Sequence, residues 1–181
     1  MGERHLSSLP SPELPEAPSP RVLRDVMANF ATGITVLTVA GTHCHGMTAN
    51  AFSSVSLEPP MVLCCIARTA QMHEAILCAR HFGVSVLSAD QEQVARYFAS
   101  RDRPRGMAQF ENVEWFPGRR SGVPLLAGSL AWLECELAEV YHGGDHSIFV
   151  GTVVDAARRS GDALLFFGGG FHQGMPTPRS A

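Results

Sequence analysis

Strand-like segments joined by short turns constrain this sequence more than any other feature. Residues 129–141 alternate between apolar and polar side chains, which predicts a long strand with one face in the core. Glu134 and Glu136 fall on the other face, which we expect to be in water. A glycine turn at 142–145 leads directly to a second strand at 147–154. Strands joined so closely must pair antiparallel, and closing such a sheet removes its edges, so we expect a mainly β fold: a small antiparallel barrel with accessory helices.

Other segments complete the predicted fold. Three helices are indicated by start signals: Ser19 before Pro20, Thr69 as a cap, and the capping-box pair Ser88 and Gln91. The first helix should dock its apolar face on the core or on a partner subunit, and that face consists of Val22, Leu23, Val26, Met27 and Phe30. Further strands are predicted at residues 34–39, 44–49, 61–67, 82–87 and 163–167, with turns at 40–43 and 160–162.

The 181 residues suit one domain with a real core. Residues 1–18 are rich in proline and serine and are expected to form a disordered leader, as is a tail at 174–181. The predicted domain is therefore 19–173. No apolar run reaches membrane-spanning length and no secretion signal is visible, so the expected location is the cytoplasm.

Charge and cysteine content limit the chemistry. A net charge of -3 gives no general attraction to nucleic acid or to anionic membrane. All 14 basic residues are arginine, which excludes Schiff-base lysine chemistry and a P-loop lysine. The 5 cysteines lack metal-site spacing, and Cys64 and Cys65 should point to opposite faces of one strand. We interpret them as reduced thiols, and His43 and His45 as parts of a surface hairpin, so no metal is expected.

Three stretches carry candidate functional residues. Residues 46–60 are rich in small and hydroxyl side chains, so they could cradle a flat ligand or form an ordinary turn. Residues 100–109 are arginine-rich and could be a solvated loop or a mobile flap that offers cations to a phosphate. His146 stands where a glycine turn becomes an apolar strand, and could either serve a substrate or bond within the turn.

Together these stretches resemble a known family. The sequence is similar to two motifs of the flavin reductase family with the FMN-binding split-barrel fold. The first motif lies at residues 46–57 with Pro59 and Pro60, and the second at residues 144–151. Supporting matches lie at residues 30–36, 82–88 and 164–167, and the likeness covers about residues 21–173. The resemblance implies a homodimer of six-stranded antiparallel split β-barrels. It also implies an NAD(P)H-dependent flavin reductase that reduces FAD or FMN, with NADH favoured, and supplies reduced flavin to a flavin-dependent monooxygenase.

The resemblance also implies site residues. His146 would orient the nicotinamide or manage a proton, and the nicotinamide side would be met by His146, Ser147, Ile148 and Phe149. The isoalloxazine and ribityl chain would be lined by Thr48, Ala49, Asn50, Ala51, Phe52, Ser54 and Val55. The flavin phosphate would lie at Thr69, Ala70 and Gln71, which agrees with the anion preference of a helix start, and Arg68 is an added candidate for charge. Phe98 and Ala99 would reach the adenylate part of FAD.

This sequence departs from the family pattern at two positions. Ser85 stands where many relatives have asparagine, and Gly170 stands where relatives usually carry arginine or lysine. The cation missing at Gly170 leaves the choice between NADH and NADPH open. Two rival functions remain: a flavin carrier or sensor without catalysis, and a structural dimerisation module.

Overall fold

The computed structural model describes residues 17–174. The predicted leader at 1–18 and tail at 174–181 lie outside the described residues, apart from residues 17, 18 and 174. The helices of the described part are α1 (Pro20–Met27), α2 (Gln71–Ala79) and α3 (Glu92–Ala99). The strands of its first half are β1 (Thr32–Gly33), β2 (Thr35–Val39), β3 (His45–Ala49), β4 (Phe52–Leu57), β5 (Pro60–Ala67) and β6 (His81–Val86). Those of its second half are β7 (Trp115–Pro117), β8 (Pro124–Leu126), β9 (Ala131–Gly143), β10 (His146–Arg158), β11 (Leu164–Phe167) and β12 (Gly170–Gln173).

The strands form one large antiparallel sheet and two small ones. The large sheet has 7 strands in the order β3-β2-β6-β9-β10-β5-β4. The expectation of a mainly β fold is confirmed. The expectation of a six-stranded closed barrel is wrong, because the described residues place seven strands in this sheet and leave β3 and β4 at its two edges.

The free edge of β3 is covered by other elements instead of by β4. The side-chain amide of Gln109 accepts a hydrogen bond from Gly46 N at 2.8 Å and donates one to Cys44 O at 3.2 Å, as a neighbouring strand would. The hydroxyl of Thr48 donates to Ala95 O of α3 at 2.7 Å. These bonds satisfy polar groups that would otherwise need a strand partner, so closure of the sheet is not required.

Two hydrophobic clusters lie on opposite faces of β2, all of whose residues are buried. Leu37 belongs to the cluster beneath α2, and its neighbour Val36 belongs to the cluster beneath α3. Successive strand residues point to opposite faces. Because both faces of this strand lie against a core, apolar residues are needed on both. Gly46 allows the close packing of α3, because a Cβ there would lie 2.5 Å from Phe98 Cε1.

The predicted helices occur, with one wrong start. Ser19 accepts a hydrogen bond from Val22 N and caps α1, and Ser88 and Gln91 form the predicted capping box before α3. The expectation that Thr69 caps α2 is wrong, because the cap residue is Ala70, which makes no side-chain hydrogen bond. None of the α1 residues is buried within the single chain, so its apolar face is not docked on this chain's own core. No helix among residues 17–174 has the length and apolarity needed to cross a bilayer.

Three strand predictions need correction. The strand predicted at 44–49 forms β3, but residues 52–57, interpreted as part of a ligand cradle or an ordinary turn, form a further strand, β4, joined to β3 at Asn50 and Ala51. The strand at 163–167 was expected to pair with its predecessor, but β11 pairs with β1 and β12 in a separate sheet. Glu134 is not on a wet face: it is 2% exposed, and its carboxylate accepts hydrogen bonds from a loop at 120–121.

Candidate functional site

The predicted flavin-contact segment spans two edge strands and their connection. Within the described residues β4 pairs only with β5, so one side of its backbone faces outward. The hydroxyl of Thr48 is bonded to α3, Ala49 is buried, and Phe52 packs against the core, so these side chains support the segment from within. The exposed members of the segment are Asn50, Ala51, Ser54 and Val55.

The start of α2 follows β5 directly. Its cap residue Ala70 makes no side-chain hydrogen bond to the first turn, so no cap side chain accepts a hydrogen bond from the first backbone N–H groups of the helix. Arg68, Thr69 and Gln71 are exposed around this turn. Unpaired N–H groups and the helix dipole favour an anion, and a nearby arginine and hydroxyl add donors. The arrangement therefore fits a phosphate group.

The turn between β9 and β10 holds His146 in place. Gly144 has a φ of 66°, which glycine adopts without strain, and it allows a tight turn. His146 Nδ1 lies 2.8 Å from Asp145 Oδ1, so this ring nitrogen is engaged and the other one is directed away from the carboxylate. The hydrogen bond with His146, followed by the charge of that ring, lowers the pKa of Asp145.

Pairing of β5 with β10 brings the helix start and this turn together. His146 is paired with Ala67, and the backbone N–H of Arg68 donates to Asp145 O at 3.0 Å. The candidate phosphate site and the histidine turn are thus neighbouring parts of one surface, although they are far apart in the sequence. Ile148 is half-buried on the same strand face as His146.

Two predicted nicotinamide residues point the other way. Ser147 is 1% exposed and Phe149 is fully buried, so only their backbone groups remain for a ligand on the outer face. Both contact His73 of α2: Ser147 Oγ lies 2.9 Å from His73 Nε2, and the Phe149 ring meets the histidine ring edge-on at 5.0 Å. His73 was missed in the sequence because its spacing in α2 marks only a helix face.

The residues predicted to meet adenylate divide in the same way. Phe98 is fully buried and its ring packs on Phe110 at 5.3 Å between centroids, whereas Ala99 is exposed. In the arginine-rich segment, Arg103 is held against β3. Its guanidinium donates to Gly46 O, and to His45 Nε2 at 3.2 Å. Arg103 is therefore not a free cation for a phosphate.

Neither the histidines nor the cysteines form a metal site in the described part of the chain. No cluster of three or more potential ligands occurs among residues 17–174. Burial, followed by the charge of Arg103, lowers the pKa of His45 to about 4, so the ring is neutral and accepts the arginine hydrogen bond. All five cysteines are free, and Cys64 and Cys65 lie on opposite faces as predicted.

Comparisons with known proteins agree with this architecture. An NADH-dependent FAD reductase from Streptomyces globisporus is 49% identical over 161 residues, which is 88% of each chain. The flavin reductase component of a bacterial two-component tryptophan halogenase, BorF, is 49% identical with a TM-score of 0.83, covering 87% of this chain and 98% of its own. The NADH:FAD oxidoreductase SgcE6 of Streptomyces globisporus C-1027, solved in complex with NAD and FAD fragments, is 46% identical with a TM-score of 0.82, covering 91% and 98%.

The match to a family extends over most of the domain. Residues 27–175 match the flavin reductase like domain, which includes both resembling motifs and every candidate site residue. The chain therefore belongs to the flavin reductase like domain family.

Proposed function

We propose that this protein is an NADH-dependent flavin reductase that transfers hydride from NADH to FAD or FMN and supplies the reduced flavin to a flavin-dependent monooxygenase. One observation carries the proposal: the hydrogen bond from Arg68 N to Asp145 O joins the uncapped helix start to the histidine turn. A phosphate-anchored ring cofactor and a dihydronicotinamide can then occupy one surface. The relatives named above, one of them part of a two-component halogenase, support both the reaction and the presence of a separate partner enzyme.

The chain's own residues fit a flavin by position and chemistry. The first turn of α2, with Arg68, Thr69, Ala70 and Gln71, would hold the phosphate. The exposed backbone and small side chains from Asn50 to Val55 would lie along the ring and ribityl chain, with Thr48, Ala49 and Phe52 as their support. The flavin, when bound, supplies the hydride acceptor. Backbone N–H groups fixed in advance along β4 would stabilise negative charge without rearranging.

His146 would contact the nicotinamide side of the site. Its Nδ1 is engaged by Asp145, so its other nitrogen is free to meet the nicotinamide or to hold a proton. Ile148 would shield the same face from water, while Ser147 and Phe149 would act through their backbone. Phe98 would act from within the core, leaving Ala99 as the exposed position for adenylate of FAD. Placement of two rings in contact is the main catalytic requirement.

A homodimer is part of this proposal. The apolar face of α1 is exposed in the single chain, with Val26 61% exposed, and Phe30 just after the helix is 67% exposed. The edge residue Leu57 is 92% exposed. A second copy would remove such surface from water. We further propose that residues 19–173 form the functional domain and that it works in the cytoplasm. NADPH is the alternative cosubstrate. Gly170 stands where relatives usually carry a cation, so the choice between NADH and NADPH does not follow from the family pattern.

A direct assay separates the candidate functions. Purified protein mixed with NADH and free FAD or FMN should bleach the NADH absorbance band faster than flavin and NADH alone. A carrier or sensor would bind flavin without this loss of NADH, and a structural module would give neither flavin binding nor a flavin-induced rise in melting temperature. Either of those results would overturn the proposal.

The role of His146 is tested by His146→Ala. We expect a lower turnover with NADH and a nearly unchanged dissociation constant for flavin, measured by fluorescence quenching without NADH. His43→Ala is the matched control, because His43 is an exposed histidine in the turn between β2 and β3. Equal loss of turnover and of flavin binding in His146→Ala would refute the assignment.

A further inference from the structure

A side-chain pair connects the start of α2 with the start of β10, next to the histidine turn of the candidate site. His73, in the first turn of α2, places Nε2 2.9 Å from the hydroxyl of Ser147 at the start of β10. Ser147 is 1% exposed, so its hydroxyl has no access to solvent as an alternative partner. The Phe149 ring lies edge-on to the histidine at 5.0 Å, which restricts the rotation of the ring.

This pair lies between the two ligand-facing parts of the surface. Residues just before His73 form the uncapped helix start, and the residue just before Ser147 is His146. Strand alternation means that a Ser147 side chain held inward keeps the His146 side chain outward. The backbone bond from Arg68 N to Asp145 O and the β5–β10 ladder also join the two parts, but both are contacts between backbones, whereas His73 and Ser147 are joined through their side chains.

We infer that His73 is a positioning residue for nicotinamide, acting through its hydrogen bond to Ser147 to hold His146 in register with the helix that anchors flavin. The inference rests on the proposed function. His73 touches neither ring in this role. It acts on the geometry of the turn, so its loss should affect the use of NADH more than the binding of flavin.

The electrostatic surroundings favour a neutral His73. Burial, followed by the charges of Arg68 and His142, lowers the pKa of His73. These groups face it from the β5–α2 connection and from β9, while Ser147 and Phe149 face it from β10. Protonation of His73 in acid would place a positive charge beside that of Arg68, and the two charges would repel each other. The affinity for NADH should therefore fall on the acidic side in the native protein.

The experiment compares His73→Phe, His73→Gln and Ser147→Ala in the full chain. His73→Phe keeps a ring against Phe149 but removes the nitrogen, and Ser147→Ala removes the hydroxyl. Each should raise KM for NADH about fivefold, as expected for loss of one buried hydrogen bond. The flavin dissociation constant, measured by fluorescence quenching without NADH, should change less than about twofold, because the helix start is intact. His73→Gln, which can still bond to the hydroxyl, should recover most of the native KM.

Two further measurements distinguish positioning from general support of the fold. The double variant His73→Phe with Ser147→Ala should be no worse than either single variant, because both remove the same bond. The acidic rise in KM for NADH should be smaller in His73→Gln than in the native protein. His43→Phe serves as the matched control and should leave both constants unchanged. Melting temperatures measured by circular dichroism confirm that each variant is folded.

The outcomes separate this inference from the proposed function. A native protein that neither binds flavin nor consumes NADH overturns both. A native protein that is active, with variants whose KM for NADH is unchanged, overturns the role of His73 alone. The role of His73 is also overturned if flavin affinity falls as much as NADH affinity in the variants. It is overturned as well if the effects of the two single variants multiply in the double variant, because both variants remove the same hydrogen bond.

Discussion

Replacing the buried carboxylate of Glu134 tests the description of the core most directly. Its oxygens accept hydrogen bonds from Arg120 N at 3.1 Å, from Ser121 N at 2.7 Å and from the Ser121 hydroxyl at 2.6 Å. In Glu134→Gln the amide oxygen can take the place of Oε2 and keep both Ser121 bonds, so the NH₂ group replaces Oε1, cannot accept from Arg120 N, and the negative charge is lost. Hydrogen bonds to a charged group contribute about 1.5–3 kcal/mol each, and we therefore expect the free energy of unfolding to fall by about 1.5–3 kcal/mol.

The pH dependence of this loss follows from the pKa of Glu134. Burial alone would raise that pKa, but the hydrogen bonds of the Ser121 hydroxyl and of the loop amides outweigh it, so the pKa lies below its ordinary value. The folded pKa is depressed, so the contribution to stability is complete above the unfolded pKa of about 4.3 and is lost as the pH falls through the folded pKa. The difference between native protein and Glu134→Gln should thus be large at neutral pH and shrink in acid.

Urea unfolding at pH 7 and in acid, followed by tryptophan fluorescence at one protein concentration, measures both effects. Glu136→Gln is the control, because Glu136 lies two positions along the same strand and is exposed. Its ion pair with His81 at 3.6 Å lies at the surface and should contribute less than about 1 kcal/mol. If Glu134→Gln were no less stable than Glu136→Gln at pH 7, the reasoning about the buried carboxylate would be refuted.

Three further predictions concern packing and exposure. Gln109→Leu removes the amide that satisfies a backbone N–H of β3 and the carbonyl of Cys44 just before it, and should lower the free energy of unfolding by about 2–4 kcal/mol in urea titrations. Gly151→Ala places a Cβ 2.6 Å from the ring of fully buried Phe82, so its melting temperature should fall, with a cost of about 1–3 kcal/mol. A chromogenic disulfide should label exposed Cys78 in the native protein, whereas Cys135, whose thiol pKa is raised by burial, should react only in urea; labelling of Cys135 before unfolding would contradict its burial.

Local patterns in the sequence predicted most elements of this fold. Strand runs next to glycine turns gave β2, β3, β9 and β10, because alternation and turn chemistry act between near neighbours. The capping pair before α3 was equally local. Edges were not predictable in this way. Whether β3 meets another strand or Gln109 depends on a contact that spans 63 residues, and no periodicity encodes it.

Glu134 shows why a correct strand can still be given a wrong face. Alternation placed the Glu134 side chain on the face of the strand opposite to that of Cys135, which is correct. The usual preference of carboxylates for water then predicted that the Glu134 face is in solvent. The loop at 118–122 covers this position and offers it amides. The signal in the sequence is a glycine at 118, where a Cβ would lie 2.4 Å from the Glu134 carboxyl carbon, but nothing local connects the two.

The candidate site depends on register, which is the least local property of a sheet. β5 and β10 are paired so that His146 lies opposite Ala67, and a slip of one residue would turn His146 into the core and Ser147 toward solvent. The apolar row that faces α2 fixes this register from within, through Phe149 opposite Cys64. The motif therefore supplies the residue types, while the core beneath it decides which of them a ligand can reach. That division explains why His146 and Ile148 lie toward the surface, whereas Ser147 is buried with its hydroxyl against His73.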